Sequence, residues 1–347
     1  MRATSPLTQT ITSEQFVPVD LRYFVAERPP LVDLYVRIDE RDPRPVPARL
    51  SQGLQVVAAD GHRYARYCDS HAPLSRESRT RLLNSGYSGV YCLIQNGEVR
   101  AGGRSLDDLL ALTDADLHGA VKATLVYEDV VYTVSHAFTE PGAQESVDRT
   151  ARCVETLVRH LIYSPNSLHV LIGLVRHEAS LFTHCANVCI YATSLARIMS
   201  MPAEAMIELA TGALVHDVGM MRVPTTITGK PGPLTPEERE VVRKHPKWGA
   251  DLLSKAYRKQ PGVLSVVLQH HERADGAGYP SGLTGEQMTQ FARIVGVIDK
   301  YEAITSDRPY RPAMHPYKAT QAVREELVGQ FEQELFVPML RMVSGRR

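Results

Sequence analysis

The apolar residues of this 347-residue chain keep two different periods, and the change between them limits what it can fold into. From about Gln15 to Leu106 they alternate or run in short β-branched and aromatic stretches, the pattern of strands. "LVDLYVRI" (31–38) is one such run. "GLQVVAADGHRYARY" (53–67) carries an Asp-Gly turn signal between two more, and "GVYCLIQNGEVRAGG" (89–103) an Asn-Gly one. Between them "LSRESRTRLLNSGY" (74–87), with a Ser start and a Gly stop, reads as a short helix.

From "SLDDLLALTDADL" onward the spacing switches to three and four, the period of helices. "FTEPGAQES" (138–146) breaks the first two of them. From Ser164 nearly every segment is helical by period, with loops at 229–238, 275–287 and 306–316. In "LTPEEREVVRKHP" Thr235 is placed as an N-cap, with Pro236 at the first helical position and glutamates at the positive end of the dipole. The expected architecture is a small α+β module over 1–110, a helical linker over 111–163 and an all-α bundle over 164–347.

The formal net charge is zero, which argues against a basic surface that captures nucleic acid polymers. Cys68, Cys92, Cys153, Cys185 and Cys189 are odd in number and lack CxxC spacing, so they read as reduced, mostly buried thiols. No apolar run reaches the roughly 18 residues of a transmembrane span, and the N-terminus lacks the apolar core of a secretory signal. A cytoplasmic protein is expected.

Within the helical half, five histidines stand beside aspartates: His184, His216 next to Asp217, His245, and the pair His270 and His271. Each alone has an ordinary reading. His184 suits a hydrogen-bonded core position, His216 and Asp217 a polar helix end, and His245 a residue complementing a helix dipole. Asp299 is different, because a carboxylate between "RIVGVI" and "YEAI" faces inward, and a buried charge has to be paired or bound to a cation. Together the set has the chemistry for two divalent metals, with an aspartate able to bridge ions about 3.5 to 4 Å apart. Such a pair holds a hydroxide suited to attack on phosphorus.

Five ordered motifs, "HDVG" (216–219), "KPGPLTPEE" (230–238), "KHPKWGADLL" (244–253), "HHERADGAGYPSGL" (270–283) and "VIDKYEAITSDRPYR" (297–311), resemble the HD-GYP family, a subgroup of the HD superfamily that hydrolyses cyclic di-GMP. The resemblance covers roughly residues 168–336 and implies an HD-type helical bundle. It implies one metal held by His184, His216, Asp217 and Asp299. A second would be held by Asp217 as bridge with His245, His270 and His271. Iron or manganese leads, with nickel or zinc as alternatives. Ser180 stands where some members have a glutamate for a third metal, so two are expected.

By the same resemblance Asp217 and His216 are catalytic, with Glu178 orienting a ligand from behind, a role Glu272 would share. Arg308 and Arg311 would fork onto phosphate oxygens, and Gly278, Tyr279 and Lys230 would complete the substrate contacts. Two positions depart from the family: Met220 replaces a lysine after the His-Asp motif, and Glu302 replaces an aspartate. Arg222, two places on, would substitute for that lysine electrostatically but not as an acid. The implied function is hydrolysis of cyclic di-GMP to pGpG or GMP. The alternatives are a receptor or protein-docking module with a structural metal centre, and a phosphodiesterase for another cyclic dinucleotide. The GYP loop is a candidate docking point for other signalling proteins, and a homodimer is a further expectation.

Overall fold

The computed structural model describes residues 14–20, 34–37, 56–59, 62–68, 89–95, 98–99, 119–164, 167–175, 180–230, 232–306, 313–324 and 332–344. They fall into two compact units, 10–128 and 129–347.

In the first unit six strands form one antiparallel sheet: β1 (Glu14–Asp20), β2 (Leu34–Arg37), β3 (Val56–Ala59), β4 (His62–Cys68), β5 (Gly89–Gln95) and β6 (Glu98–Val99). The order is β1-β5-β2-β4-β3, with β6 also on β5. Both turn signals join paired strands, since Ala59 lies opposite His62 across Asp60 and Gly61, and Gln95 opposite Glu98 across Asn96 and Gly97. Leu34 and Tyr35 of β2, the strand between β5 and β4, are buried. The helix expected over 74–87 lies outside the described residues.

Helix α1 (Gly119–Thr139) leads into α2 (Gln144–Tyr163), with the break between them at the Pro-Gly pair of the sequence. On α2 the residues Cys153, Val154, Leu157, Val158 and Leu161 are buried while Arg152, Glu155 and Arg159 are exposed. This is the one-sided stripe of an amphipathic helix, and each large apolar side chain on it contributes about 1.5–3 kcal/mol.

The second unit continues with α3 (Ser167–Leu174), α4 (Leu181–Ile198), α5 (Ala203–Val215), a 3-10 turn (Val218–Arg222), α6 (Thr225–Thr228), α7 (Pro236–Val242), α8 (His245–Leu253), α9 (Pro261–Gln269), α10 (Gln290–Thr305), α11 (Pro316–Arg324), a π turn (Glu332–Phe336) and α12 (Val337–Ser344). Among the described residues the regular elements of the HD region are all helices, as expected. Thr235 is the N-cap of α7, in a capping box closed by Glu238.

Helix α4 is the axis of this bundle. Every residue from Thr183 to Ala196 is buried, which its small and apolar composition permits on all sides. It packs against α2, α3, α5, α10 and α12, while α9 packs against α5, α8 and α10. Cys153, Cys185 and Cys189 are free, buried thiols. Among the described residues no helix is long and apolar enough to cross a membrane.

Candidate metal centre

Helix α5 ends at Val215, and the chain turns there through His216 and Asp217. Asp217 leaves helical geometry at φ −97°, ψ 10°, and the 3-10 turn that follows lies directly on α8. Gly219 makes this possible, because a Cβ there would stand 1.9 Å from the carbonyl oxygen of His245. The approach brings Asp217 Oδ1 to 3.0 Å from Nε2 of His245, the first residue of α8.

Three of the histidines are oriented alike. His216 Nδ1 donates to the Ala213 carbonyl at 2.8 Å, and His245 Nδ1 to that of Val242 at 2.8 Å. His270, at the end of α9, donates from Nδ1 to Val266 and Val267 at 3.1 and 3.0 Å. A carbonyl only accepts, so each Nδ1 holds the proton and each Nε2 of the neutral ring presents a lone pair inward. The Nε2 atoms of His245 and His270 are 3.2 Å apart, a separation at which two lone pairs need a cation, proton or metal, between them.

His184, in the first turn of α4, is held differently. Its Nδ1 bonds the Glu302 carboxylate, and its Nε2 is 3.0 Å from Asp299 Oδ1. Glu302, 1% exposed, also accepts from Asn187 Nδ2 at 2.9 Å and Ser306 Oγ at 2.7 Å. His271 sits at the edge of the group, with Nδ1 3.7 Å from Asp299 Oδ2.

The two carboxylates each face both ways. Asp217 Oδ1 faces His245 and, at 3.5 Å, His270, while Oδ2 lies 3.6 Å from His216 Nε2 and 3.8 Å from His184 Nε2. Asp299 likewise turns one oxygen to His184 and the other to His271. One ligating atom from each of Asp217, His245, His270 and His271 lies within 4.8 Å of the others, and the same holds for His184, His216 and Asp299. The structure thus brings together all seven residues named from the sequence, and it adds a contact from Asp299 to the His271 group.

The donor set fits divalent metal. Among the described residues, buried His216 Nε2 and Asp217 Oδ1 have no hydrogen-bond partner. With the His245 proton on Nδ1, Asp217 Oδ1 and His245 Nε2 turn lone pairs toward a shared space at 3.0 Å from one another. Leaving such groups unsatisfied costs about 1–3 kcal/mol each, more when charged, and a cation removes that cost.

The electrostatics follow from the packing. Burial opposes charge on His184, but Asp299 and Glu302 outweigh it and push its pKa up to about 10. Burial pulls His216 down to about 4 against the pull of Asp217. It also holds His271 well below the usual histidine range, helped by His270. Asp217, though buried, is kept well below the ordinary carboxylate range by His216 and His245. Cys185 also lies against His216 and Asp217. Burial and the neighbouring carboxylates raise its pKa strongly, so it stays a thiol and a poor ligand.

Gly278 and Tyr279 form a loop folded back on the histidine pair. A Cβ on Gly278 would stand 2.4 Å from Glu272 Cα, and the Tyr279 N–H donates to the His271 carbonyl at 3.2 Å. Glu272 accepts the N–H groups of Ser281 at 2.6 Å and Leu283 at 2.9 Å, so it braces this loop rather than a ligand. The Tyr279 ring stacks on His271 with centroids 4.7 Å apart, and the Arg243 guanidinium lies 4.9 Å from its centroid. Beside the centre opens a cavity of about 460 Å³, bounded by His270, His271 and Asp299 and by Arg243, Tyr279 and Lys300.

Some of the other residues named from the sequence lie among the described residues. Lys230 Nζ is 2.7 Å from Glu238 Oε2, within the capping box of α7. Met220 is half-buried on the 3-10 turn, and Arg222 is exposed. Glu178, Arg308 and Arg311 lie outside the described residues. Sequence reasoning missed Asn187 and Arg243. Asn187 was findable, being one helical turn beyond His184 on α4 and so able to share its partner.

Comparison with known proteins comes to the same region. The HD domain family profile matches residues 169–333. A cyclic di-GMP phosphodiesterase of Pseudomonas aeruginosa is 38% identical over 193 residues, covering 55% of this chain and 46% of that protein. A cyclic di-GMP phosphodiesterase response regulator of Xanthomonas campestris is 34% identical over 176 residues, 50% of this chain and 41% of that one. A 3′3′-cGAMP-specific phosphodiesterase of Vibrio cholerae is 27% identical over 237 residues, 64% of this chain and 54% of the relative. The chain thus spans about half the length of the curated relatives it matches. A solved HDG"Y"P protein from Bdellovibrio bacteriovorus shares the fold at TM-score 0.61 and 15% identity, over 95% of this chain and all of that one.

Proposed function

For this chain, which belongs to the HD-GYP family of HD domains, we propose the function of a two-metal phosphodiesterase acting on cyclic dinucleotides, with cyclic di-GMP as the leading substrate. The observation that carries the reading is Asp217, whose two oxygens face two separate groups of imidazoles. His184, His216 and Asp299 would hold one ion, and His245, His270 and His271 the other, with Asp217 shared. When bound, the pair supplies Lewis acidity that activates water at neutral pH and offsets charge on the reacting phosphate.

The protein's own residues set the conditions. The backbone carbonyls behind His216, His245 and His270 fix the tautomer that leaves Nε2 free. Glu302 does the equivalent for His184 as an anion. The adjoining cavity offers Arg243 and Lys300 toward phosphate and Tyr279 toward a base. Hydrolysis opens one phosphodiester of the ring to give linear pGpG, and a second cleavage gives GMP.

Met220 favours a second reading, a cyclic dinucleotide receptor that turns over slowly. A lysine at this turn would place a cation or proton donor next to Asp217, and a thioether supplies neither. The decisive experiment uses protein purified anaerobically and loaded with iron(II) or manganese(II), incubated separately with cyclic di-GMP and 3′3′-cGAMP, with products resolved by chromatography. Turnover that disappears in the His216→Ala, Asp217→Ala double variant supports the enzyme. Binding without turnover under either metal overturns it in favour of the receptor, and turnover of 3′3′-cGAMP alone overturns the substrate assignment.

A further inference from the structure

Four histidines surround Asp217 and Asp299 besides the one on α4's partner carboxylate, yet they are not oriented in the same way: His216, His245 and His270 each have a ring N–H fixed by a backbone carbonyl. His271 has no such carbonyl bond among the described residues. It is also the most exposed ring of the group, with 28% of its side chain accessible, and it approaches Asp299 through Nδ1 at 3.7 Å. An imidazole with this little hydrogen bonding rotates about its side-chain bonds unless packing stops it. His270 lies tilted against it at 4.2 Å between centroids and His245 edge-on at 5.0 Å, and Tyr279 is the ring that stacks on it, at 4.7 Å between centroids and 28° between planes.

We propose that Tyr279 is the positioning residue for His271, acting through ring stacking to hold the ligand that completes the Asp217, His245 and His270 ion site. The proposal rests on the two-metal reading above and assigns the tyrosine of this motif a role toward the metal. Three observations support it. The loop that carries Tyr279 is tied to the histidine pair itself, by the Tyr279 N–H bond to the His271 carbonyl and by the two N–H groups that Glu272 holds. Gly278 lets that loop lie within contact of the Glu272 backbone, so the segment that carries the ring is held against the histidine pair. Tyr279 also meets Arg243, two residues before His245, with the guanidinium 4.9 Å from the ring centroid. These two contacts therefore join the chain segments of two residues that would hold the same ion.

Stacking uses the ring and not the hydroxyl, and this makes the proposal separable from a role for the phenol in chemistry. Tyr279→Phe keeps the ring, whereas Tyr279→Leu keeps bulk and removes the flat face. Outer groups that orient a metal-bound histidine typically change affinity about 10- to 100-fold. The effect is expected mainly on that ion, because among the described residues Tyr279 stacks on His271, and the other group meets His271 only through Asp299 Oδ2 at 3.7 Å.

The test is anaerobic calorimetric titration of metal-free protein with cobalt(II), with the visible spectrum followed in parallel. Wild type and Tyr279→Phe are expected to take two ions at matching affinities. Tyr279→Leu is expected to take one ion at wild-type affinity and the second about 10-fold or more weaker. Arg243→Gln, which leaves the loop in place, is expected to weaken the second ion a few-fold and the first not at all. Two wild-type affinities in a folded Tyr279→Leu variant overturn the proposal, as does weakening of both ions alike in Arg243→Gln. Uptake of fewer than two ions by wild type instead overturns the two-metal reading on which it rests.

Discussion

Glu302 accepts a hydrogen bond from Nδ1 of His184 while Asn187 and Ser306 bond the same carboxylate, so one buried anion on α10 fixes the ring at the head of α4. Its carboxylate reaches both α4 residues from its own helix.

Glu302→Gln removes the negative charge but keeps the shape, leaving His184 a weaker donor to any cation. We expect the ion held by His184, His216 and Asp299 to bind roughly 10- to 100-fold more weakly, with the other ion little changed. Metal content after graded chelator dialysis checks this, and equal loss of both ions would refute it.

Metal uptake should release protons. His184, with its pKa near 10 in the metal-free protein, is charged at neutral pH and has to lose its proton to bind an ion. Affinity is therefore expected to rise with pH between neutrality and about 10. Calorimetry in buffers of different ionisation enthalpy should show proton release approaching one for this group at pH 8, and no buffer dependence would contradict the assignment.

The metal-free protein has its own pH signature. His184 is raised on folding, so its contribution is fully present below the unfolded value of 6.5 and is lost as pH rises through about 10. His216 is lowered, so stability is lost as pH falls from 6.5 through about 4, where the unfolded chain binds a proton that the folded one refuses. From these two groups the metal-free Tm is expected to peak near pH 6.5 and fall on both sides. A Tm that keeps climbing from pH 6.5 to 9 would be inconsistent with the His184 contribution, and one that rises as pH falls from 6.5 to 4 would be inconsistent with that of His216.

Gly219→Ala places a methyl group against the His245 carbonyl and forces the turn off α8. Overpacking of this kind costs about 1–3 kcal/mol. Because Asp217 rides on that turn, the variant should also lose the shared ligand, and metal content should fall with Tm. Full metal occupancy at an unchanged Tm would show that the contact is not required.

Met220→Lys introduces a cation at the turn beside Asp217. If the chain is an enzyme slowed by its thioether, turnover should rise on the order of 10²-fold with KM little altered. Unchanged kcat under both metals would mean that this position does not limit the reaction.

Much of the centre was legible because its residues announce themselves by type and order. Asp299 was recognisable as inward-facing from its apolar neighbours, and Thr235 as a cap from the proline and glutamates after it. What escaped depends on side-chain reach between segments distant in sequence. The second oxygen of Asp299 reaches His271 only because α9 and α10 pack together, and Arg243 meets Tyr279 only because the loop doubles back. Lys230 was assigned to substrate from its motif, but its nearest anion is Glu238, eight residues on and within reach through the α7 cap. The strands flanking the Asp-Gly and Asn-Gly turns were readable from local pattern, whereas their order in the sheet was not.

Helix α4 has no solvent face over the length that follows His184. Its amide hydrogens have no shallow route to exchange, so freeing that ligand requires opening the bundle around it. Ion release from the His184 side should therefore be slow and should track global unfolding. His271, the most exposed of these rings, would leave the other ion a shorter way out, so the two positions should empty at separate rates.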